Sequence, residues 1–208
     1  MFEDWIISNS LVPVLKPRLH RFIRLASPHA MVSRNRMQNL YRLLCRMERD
    51  GVRGHIVETG VARGGSAIFF GLFINALKTQ RDLWLYDAFE LFDPDGPTSE
   101  EVRRTLFETF GFDREAVHLI KGHFETALAA YPDEPIAFLH IDAGGYEPIQ
   151  CCLERLCPCV EPGGWIVLDN YGADEGCRRA TDEYLAKIGR SDALERFGHT
   201  QVYFQQVG

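Results

Sequence analysis

The sequence feature that most constrains the fold is an apolar strand that runs into an acid and then into a glycine-rich loop. It occupies residues 55–67, His-Ile-Val-Glu-Thr-Gly-Val-Ala-Arg-Gly-Gly-Ser-Ala, and an apolar run follows it. A strand, a glycine-rich turn and a helix in this order build a nucleotide-type site at the carboxyl edge of an open α/β sheet. Glycines let the backbone approach a ligand closely, and the start of the helix offers free N–H groups.

The loop departs from two nucleotide-binding signatures. The dinucleotide fingerprint G-x-G-x-x-G is missing, because Val61 and Ala62 follow Gly60. The phosphate-binding pattern G-x-x-x-x-G-K-[ST] nearly fits Gly60 to Ser66 but lacks the lysine that neutralises phosphates. A loop that follows Glu58 and has no lysine suits a ligand with a cationic end, such as S-adenosylmethionine (SAM). A nicotinamide dehydrogenase is the weaker alternative, since no Ser/Tyr/Lys catalytic pattern accompanies the loop.

Composition limits the classes of partner. The 208 residues fit one domain with a substantial core, and the net charge of −6 argues against nucleic-acid or membrane partners. The arginine-rich stretch 16–53 is interpreted as a solvated helical face, with a contact surface as the alternative. Because there is no secretory signal and no twenty-residue apolar run, we expect a cytoplasmic protein. Four clustered cysteines (151, 152, 157 and 159) lack the usual zinc spacing, so buried reduced thiols are expected.

Predicted strands and helices alternate along the chain. The strands are 55–57, 83–87, 117–121, 136–142 and 165–169, with a C-terminal hairpin of 194–197 and 200–206. The helices are 34–50, capped by Ser33, then a buried helix from Ala67, then 100–110, capped by Ser99, and 126–131, 147–157 and 176–188. The alternation predicts an α/β fold with a doubly wound, mostly parallel, Rossmann-like sheet of seven strands and an antiparallel C-terminal strand. Residues 1–30, broken by three prolines, are expected to form short helices or an arm that packs on a second copy of the chain, as a homodimer, or over the cofactor.

Four of the predicted strands end in an acid. Because the carboxyl ends of parallel strands share one edge of the sheet, Glu58, Asp87, Asp142 and Asp169 are expected to converge where ligands bind. Asp87 follows the glycine loop at the position where an acid accepts hydrogen bonds from ribose hydroxyls. Asp142, Asp169 and Asn170 supply three oxygen ligands suited to Mg²⁺ or another hard divalent cation. A helix cap at Asp142 and a turn at 169–170 are the structural alternative.

The motifs, taken in order, resemble the macrocin O-methyltransferase family over about residues 30 to 185. Members of that family are SAM-dependent, Mg²⁺-assisted enzymes that methylate hydroxyls, often sugar hydroxyls, on bacterial natural products. The resemblance rests on the segments 31–33, 58–65, 87–90, 122–124, 142–146, 162–164 and 169–172, with Cys-Arg-Arg-Ala from residue 177. It implies that residues 31–208 form a methyltransferase domain.

The resemblance also implies a role for each site residue. Thr59, Gly60, Gly64 and Ser66 would line the methionine end of SAM, with Glu58 near its ammonium group. Asp87 would hold the ribose, Gly122, His123 and Phe124 would flank the adenine, and Asp142 would also lie against the cofactor. Asp142, Asp169 and Asn170 would bind the metal, and the acceptor would be a small molecule with a sugar hydroxyl or a vicinal-diol or catechol-like group.

The chain departs from the family at the predicted metal site. The family usually has Asp-Asp at 169–170, although the Asp, Asp, Asn set found here is the one that catechol O-methyltransferases use. Gly144 stands where the family tends to carry a second acid, and the lysine of catechol enzymes is missing. The general base is therefore open: Asp142 is the prediction, with His140, His123 and His199 as alternatives. A non-catalytic SAM-binding or nucleoside-binding module is the alternative to an enzyme.

Overall fold

A central sheet of seven strands organises the protein. The computed structural model describes residues 12–91, 93–191 and 193–208. The strands are β1 (His55–Thr59), β2 (Leu83–Asp87), β3 (Val117–Lys121), β4 (Ile136–Ile141), β5 (Val160–Leu168), β6 (Glu195–Phe197) and β7 (Gln201–Gln205). They lie in the order β3-β2-β1-β4-β5-β7-β6. Strands β1 to β5 pair in parallel, and β7 is antiparallel to β5 and β6, which confirms the predicted fold class.

Helices cover both faces of this sheet. They are α1 (Val12–Ala26), α2 (Arg34–Arg49), α3 (Gly65–Leu77), α4 (Ser99–Arg104), α5 (Phe124–Ala127), α6 (Tyr146–Leu156) and α7 (Glu175–Lys187). Two buried apolar clusters result. One joins α1, α2 and α3 to the sheet through residues such as Phe22, Leu40 and Phe69. The other joins α6 and α7 through residues such as Leu153 and Leu185. The protein therefore has the three-layer arrangement of a doubly wound α/β domain.

The strand order reverses between β1 and β4, and this switch point places the candidate site. From β1 the chain adds β2 and then β3 on one side, and it returns with β4 on the other side. Ligands bind in such folds in the crevice at the carboxyl ends of the two strands that flank the reversal. Thr59 at the end of β1 is paired in register with Ile141 at the end of β4. The glycine loop after β1 and Asp142 after β4 are consequently neighbours.

The N-terminal region differs from its prediction. Instead of short helices, residues from Val12 onward form one helix of 15 residues that includes Pro17. Proline removes one backbone donor, but the buried Phe22 and Ile23 anchor the following turns against the core. The ring of Phe22 lies 6.1 Å from that of Phe69 in α3. Residues 1–11, where the predicted arm begins, lie outside the described residues.

Local chemistry moves several other boundaries. Ser33 caps α2 as predicted, but Thr98 and not Ser99 caps α4, because Thr98 forms a reciprocal capping box with Glu101. A π-helical turn continues α4 at Thr105–Thr109. The Pro-Gly-Gly at 162–164, which precedes the predicted strand 165–169, lies inside β5, where the register against β4 shifts. Among the described residues, no helix has the length and apolar character needed to cross a membrane.

Candidate active site

A pocket of about 520 Å³ opens at the carboxyl ends of β1, β2 and β4. Seven of the residues predicted for the site line it: Gly60, Ser66, Asp87, His123, Phe124, Asp142 and Asn170. The other five, which the pocket lining does not include, are Glu58, Thr59, Gly64, Gly122 and Asp169. Four segments remote in sequence, at residues 87, 123–124, 142 and 170, therefore meet the glycine loop at one cavity, as the fold predicts.

The glycines of the loop are required by close backbone contacts. Gly60 has φ +90°, and a Cβ there would lie 2.2 Å from the carbonyl oxygen of Asp142. A Cβ on Gly65, the first residue of α3, would lie 2.3 Å from the Cα of Ala30. A side chain at either position would push the loop away from β4 or from the N-terminal segment. Gly60 and Gly65 are therefore needed for packing within the protein, in addition to any contact with a ligand.

Asp87 holds the glycine loop through both of its carboxylate oxygens. Oδ2 accepts hydrogen bonds from the backbone N–H groups of Val61 at 2.7 Å and Ala62 at 2.8 Å. Oδ1 accepts one from the N–H of Phe89 at 2.6 Å. A carboxylate can accept about four hydrogen bonds, so a pocket ligand can still be bound. Its predicted contact with ribose stays a prediction, and the structure adds a role in fixing the loop.

Glu58 lies outside the pocket lining and is paired with His140. The two residues are register partners on β1 and β4, so their side chains point to the same face. Both are fully buried, and Glu58 Oε1 lies 2.9 Å from His140 Nδ1. The carboxylate of Glu58 faces a histidine and takes no part in the pocket lining. The location of Glu58 near the cofactor's ammonium group stays a prediction.

His140 links Glu58 to Asp169 as a buried cation. Its Nε2 lies 3.8 Å from Asp169 Oδ1. Burial lowers the pKa of the imidazole, but the interactions with Asp169 and Glu58 outweigh it and raise that pKa to about 10. His140 is therefore protonated at neutral pH and has no lone pair with which to act as a general base. Of the other histidine candidates, His123 lines the pocket and His199 does not.

Asp142 is the carboxylate best placed to accept a proton. It lines the pocket, and its Oδ1 accepts a hydrogen bond from Asn170 Nδ2 at 3.0 Å. Burial and the charge of Asp169 raise the pKa of Asp142 to about 7, against the lowering effect of His140. A pKa near the working pH is the value that a general base requires.

Asp169 is fully buried and fully engaged. Its Oδ2 forms an ion pair with Arg36 of α2, and its Oδ1 accepts a hydrogen bond of 2.5 Å from Gln201 of β7. Burial would raise the pKa of this carboxyl, but His140, Arg36 and Gln201 together hold it below its usual value. Asp169 therefore stays ionised although its side chain is fully buried.

The donor set fits a hard divalent cation. Ligand atoms of His140, Asp142 and Asp169 lie within 4.8 Å of one another. Because His140 is protonated and faces two acids, the oxygens of Asp142, Asp169 and Asn170 are the more suitable ligands for Mg²⁺. The carbonyl oxygen of Ala143 accepts from Asn170 at 3.2 Å, which fixes the amide beside Asp142.

The sequence did not indicate the contacts that surround Asp169. Arg36 is one of several arginines near the start of α2, and nothing local separates it from its neighbours. Gln201 lies on a strand that alternation predicts, but alternation cannot show that its amide meets a carboxylate. Only the packing of α2 and β7 around β5 brings the two residues to Asp169.

Comparisons with known proteins match the chain to O-methyltransferases. The family model of the macrocin-O-methyltransferases (TylF) matches residues 24–206. The chain is 32% identical over 199 residues to a tetracenomycin-C rhamnosyl 4'-O-methyltransferase from Streptomyces olivaceus, covering 86% of this chain and 76% of that one. It is 28% identical over 200 residues to the mycinamicin III 3''-O-methyltransferase of Micromonospora griseorubida, covering 86% and 78%.

The fold comparison also finds an O-methyltransferase. The solved structure of the O-methyltransferase NovP superposes with a TM-score of 0.78 at 29% identity, over 86% of this chain and 83% of that one. The family match spans both halves of the sheet and includes every residue predicted for the site. The chain is thus an O-methyltransferase and belongs to the macrocin-O-methyltransferase (TylF) family.

Proposed function

We propose that the protein transfers a methyl group from SAM to a hydroxyl of a small natural product, with the help of a divalent cation. The observation that carries this proposal is the pocket at the switch point, where the glycine loop, Asp87, Asp142 and Asn170 meet. The loop and Asp87 are the elements with which this fold holds a nucleoside, and the two others are candidate metal ligands and base. Membership of an O-methyltransferase family supports the enzyme over a non-catalytic binding module.

SAM is proposed to lie along the glycine loop. Its methionine end would contact Gly60 and Ser66, at the start of α3, where backbone N–H groups are free to bind a carboxylate. Its ribose would lie at Asp87, and its adenine between His123 and Phe124. Thr59, Gly64 and Gly122 would act through the backbone shape of the loop and of the turn after β3, because they lie outside the lining.

Asp142 is proposed as the base that accepts the hydroxyl proton. It is the only carboxylate among the described residues that both lines the pocket and, with no cation bound, has a pKa raised to about 7. Asp169, which Arg36 and Gln201 keep ionised, places a negative charge close to Asp142. The protonated His140 offsets part of this charge, so Asp142 need not be protonated at neutral pH.

Asp142, Asp169 and Asn170 are proposed to hold the cation, which we take to be Mg²⁺. A bound cation would lower the pKa of the acceptor hydroxyl and orient it toward the methyl group. The proposal rests on the proximity of the carboxylates of Asp142 and Asp169 and on the position of Asn170 beside Asp142. Asn170 would bind the cation through Oδ1, which requires its amide to turn away from the hydrogen bond that Nδ2 donates to Asp142.

The acceptor is proposed to be a glycosylated compound or one with neighbouring hydroxyls. Two relatives are named for methylation of a rhamnosyl 4' position and of a mycinamicin 3'' position. Beside the catalytic groups the pocket presents an apolar wall, to which Met31, Phe89 and Pro97 contribute. Such a wall suits the flat face of a sugar or an aromatic ring. A homodimer through the N-terminal segment stays a prediction, which the mass in solution would test.

The test is a product assay with SAM, glycosylated acceptors and catechol-like acceptors, with and without Mg²⁺. Methylated product that disappears on chelation with EDTA and returns with Mg²⁺ would support the proposal. Asp142→Asn is expected to lower kcat by at least about 100-fold, the usual contribution of a general base. Asp50→Asn, an exposed surface change, is the matched control. Full turnover after thorough chelation would remove the metal from the proposal, and full activity of Asp142→Asn would remove the base.

A further inference from the structure

We propose that Arg36 is a resident cation that competes with the divalent metal for Asp169 and so sets the metal affinity of the site. This inference rests on the proposed function, because it concerns the same three ligands. It assigns to Arg36 a role that neither the glycine loop nor the metal ligands reveal. The observations that carry it are the contacts of the guanidinium, its position relative to the pocket, and the burial of Asp169.

The guanidinium of Arg36 is committed to Asp169. Its Nη1 pairs with Oδ2 of the carboxylate and lies 3.4 Å from the backbone carbonyl oxygen of the same residue. Its Nη2 lies 3.5 Å from the carbonyl oxygen of Met31. Arg36 is in the first turn of α2, directly after the Ser33 cap, so the helix start fixes where the side chain begins. The positive charge is thus held over Asp169 by the backbone on either side.

Arg36 also lies between Asp169 and the pocket. Arg36, Asp142 and Asn170 all contribute to the pocket lining, and Asp169 does not. The side chain of Arg36 is 22% exposed, whereas that of Asp169 is 0% exposed. A cation that enters from the pocket therefore reaches Asp142 and Asn170 directly and meets the guanidinium before it reaches Asp169.

The remaining oxygen of Asp169 is engaged as well. Oδ1 accepts the hydrogen bond from Gln201 and faces His140 Nε2 at 3.8 Å, and both of those groups are buried. A cation that coordinates Asp169 therefore meets the guanidinium at Oδ2, or Gln201 and His140 at Oδ1. Two cations this close repel each other strongly in a medium of low dielectric constant, so the guanidinium opposes metal binding at Asp169.

The test is a titration of the metal-free full-length protein with Mn²⁺, followed by electron paramagnetic resonance at fixed pH and ionic strength. Arg36→Met, which removes the competing charge but keeps the apolar stem, is expected to bind Mn²⁺ at least tenfold more tightly than the wild type. Arg34→Met is the matched control, because it makes the same change of charge two residues away at an exposed position. We expect less than a twofold change for it. Arg36→Lys keeps a cation without the planar fork and should bind with an intermediate affinity.

The outcomes separate this inference from the proposed function. If Arg36→Met binds Mn²⁺ no more tightly than the wild type, or more weakly, Arg36 supports the site and the inference is overturned, while the metal-dependent function stands. If only Arg36→Met binds Mn²⁺, the inference is supported and metal dependence of the native chain fails. If no variant binds Mn²⁺, both are overturned. Circular dichroism checks that each variant folds. If Arg36→Met does not fold, Arg36→Lys is compared with the wild type. Tighter Mn²⁺ binding by Arg36→Lys then supports the inference, and equal or weaker binding overturns it.

Discussion

Asn39 and Gln201 lie 162 residues apart in the sequence, and their side-chain amides share a hydrogen bond of 2.6 Å. Further hydrogen bonds extend this pair in both directions and form a relay from Arg42 to Asp169. Arg42 donates to Asn39 Oδ1 from Nε at 3.1 Å and Nη2 at 2.7 Å, and Gln201 Nε2 donates to Asp169 at 2.5 Å. Since arginine can only donate, Asn39 must turn its oxygen toward Arg42 and its N–H₂ toward Gln201. Arg42 thus fixes the direction of every hydrogen bond in this relay, and Gln201 always donates an N–H to Asp169.

The first prediction is that Gln201→Leu destabilises the protein. Both amides are about 1% exposed, so the change leaves the N–H₂ of Asn39 and an oxygen of Asp169 without these partners in a buried environment. A loss of about 1–3 kcal/mol in the free energy of unfolding follows from such groups. Urea unfolding measures it. Gln38→Leu, at an exposed position of α2, is the control and should change little. Equal urea midpoints for Gln201→Leu and wild type would show that the relay does not contribute to stability.

Sequence patterns predicted the sheet and its edge because burial and periodicity act locally. The ends of the parallel strands meet at one edge, as predicted, and bring Asp87 and Asp142 to the pocket, whereas Glu58 lies outside its lining. The partners of those acids were not predictable. Glu58 faces His140 because of a register between β1 and β4 that only the folded sheet defines. Arg36 is one arginine among many in its segment, and its role depends on how α2 packs on the sheet.

The second prediction concerns Gly65, whose place in the loop suggested an approach to the ligand. Gly65 does line the pocket, and the backbone of Ala30 also lies where a side chain at this position would be, with Cα 2.3 Å and N 2.5 Å from an ideal Cβ. Gly65→Ala should displace the segment between α1 and α2 and cost about 1–3 kcal/mol of stability, as overpacking does. Gly144→Ala is the control, because its nearest neighbour would lie 3.4 Å away. Thermal unfolding of the two variants should therefore differ; equal melting temperatures would contradict the contact.

The third prediction is slow reaction of the buried thiols. Cys152, Cys157 and Cys177 are at most 1% exposed, and burial raises the pKa of Cys157 and Cys177 to about 12. The thiolate is the reactive form, so these groups should be nearly inert in the native state. A thiol-reactive chromophore should label at most the three half-buried cysteines rapidly, and all six after unfolding. Rapid labelling of more than three in the native protein would show that the core around α6 and α7 opens readily.

The last prediction is a loss of stability at alkaline pH that depends on His140. Its pKa is raised to about 10 in the folded protein, from about 6.5 in an unfolded chain. A raised pKa means that the folded state binds the proton more tightly. The contribution to stability is therefore complete below pH 6.5 and is lost as the pH rises toward 10, by at most about 1.4 kcal/mol per pH unit. We expect the stability of wild type relative to His140→Asn, measured by urea unfolding in EDTA, to fall across this window.

Glu58→Gln removes a partner that raises the pKa of His140, so the stability of this variant should decline less with pH than that of wild type. If the difference in free energy of unfolding between wild type and His140→Asn stays constant from pH 6.5 to 10, His140 is not a buried cation. The positive charge that offsets Asp142 and Asp169 would then have to come from Arg36 alone.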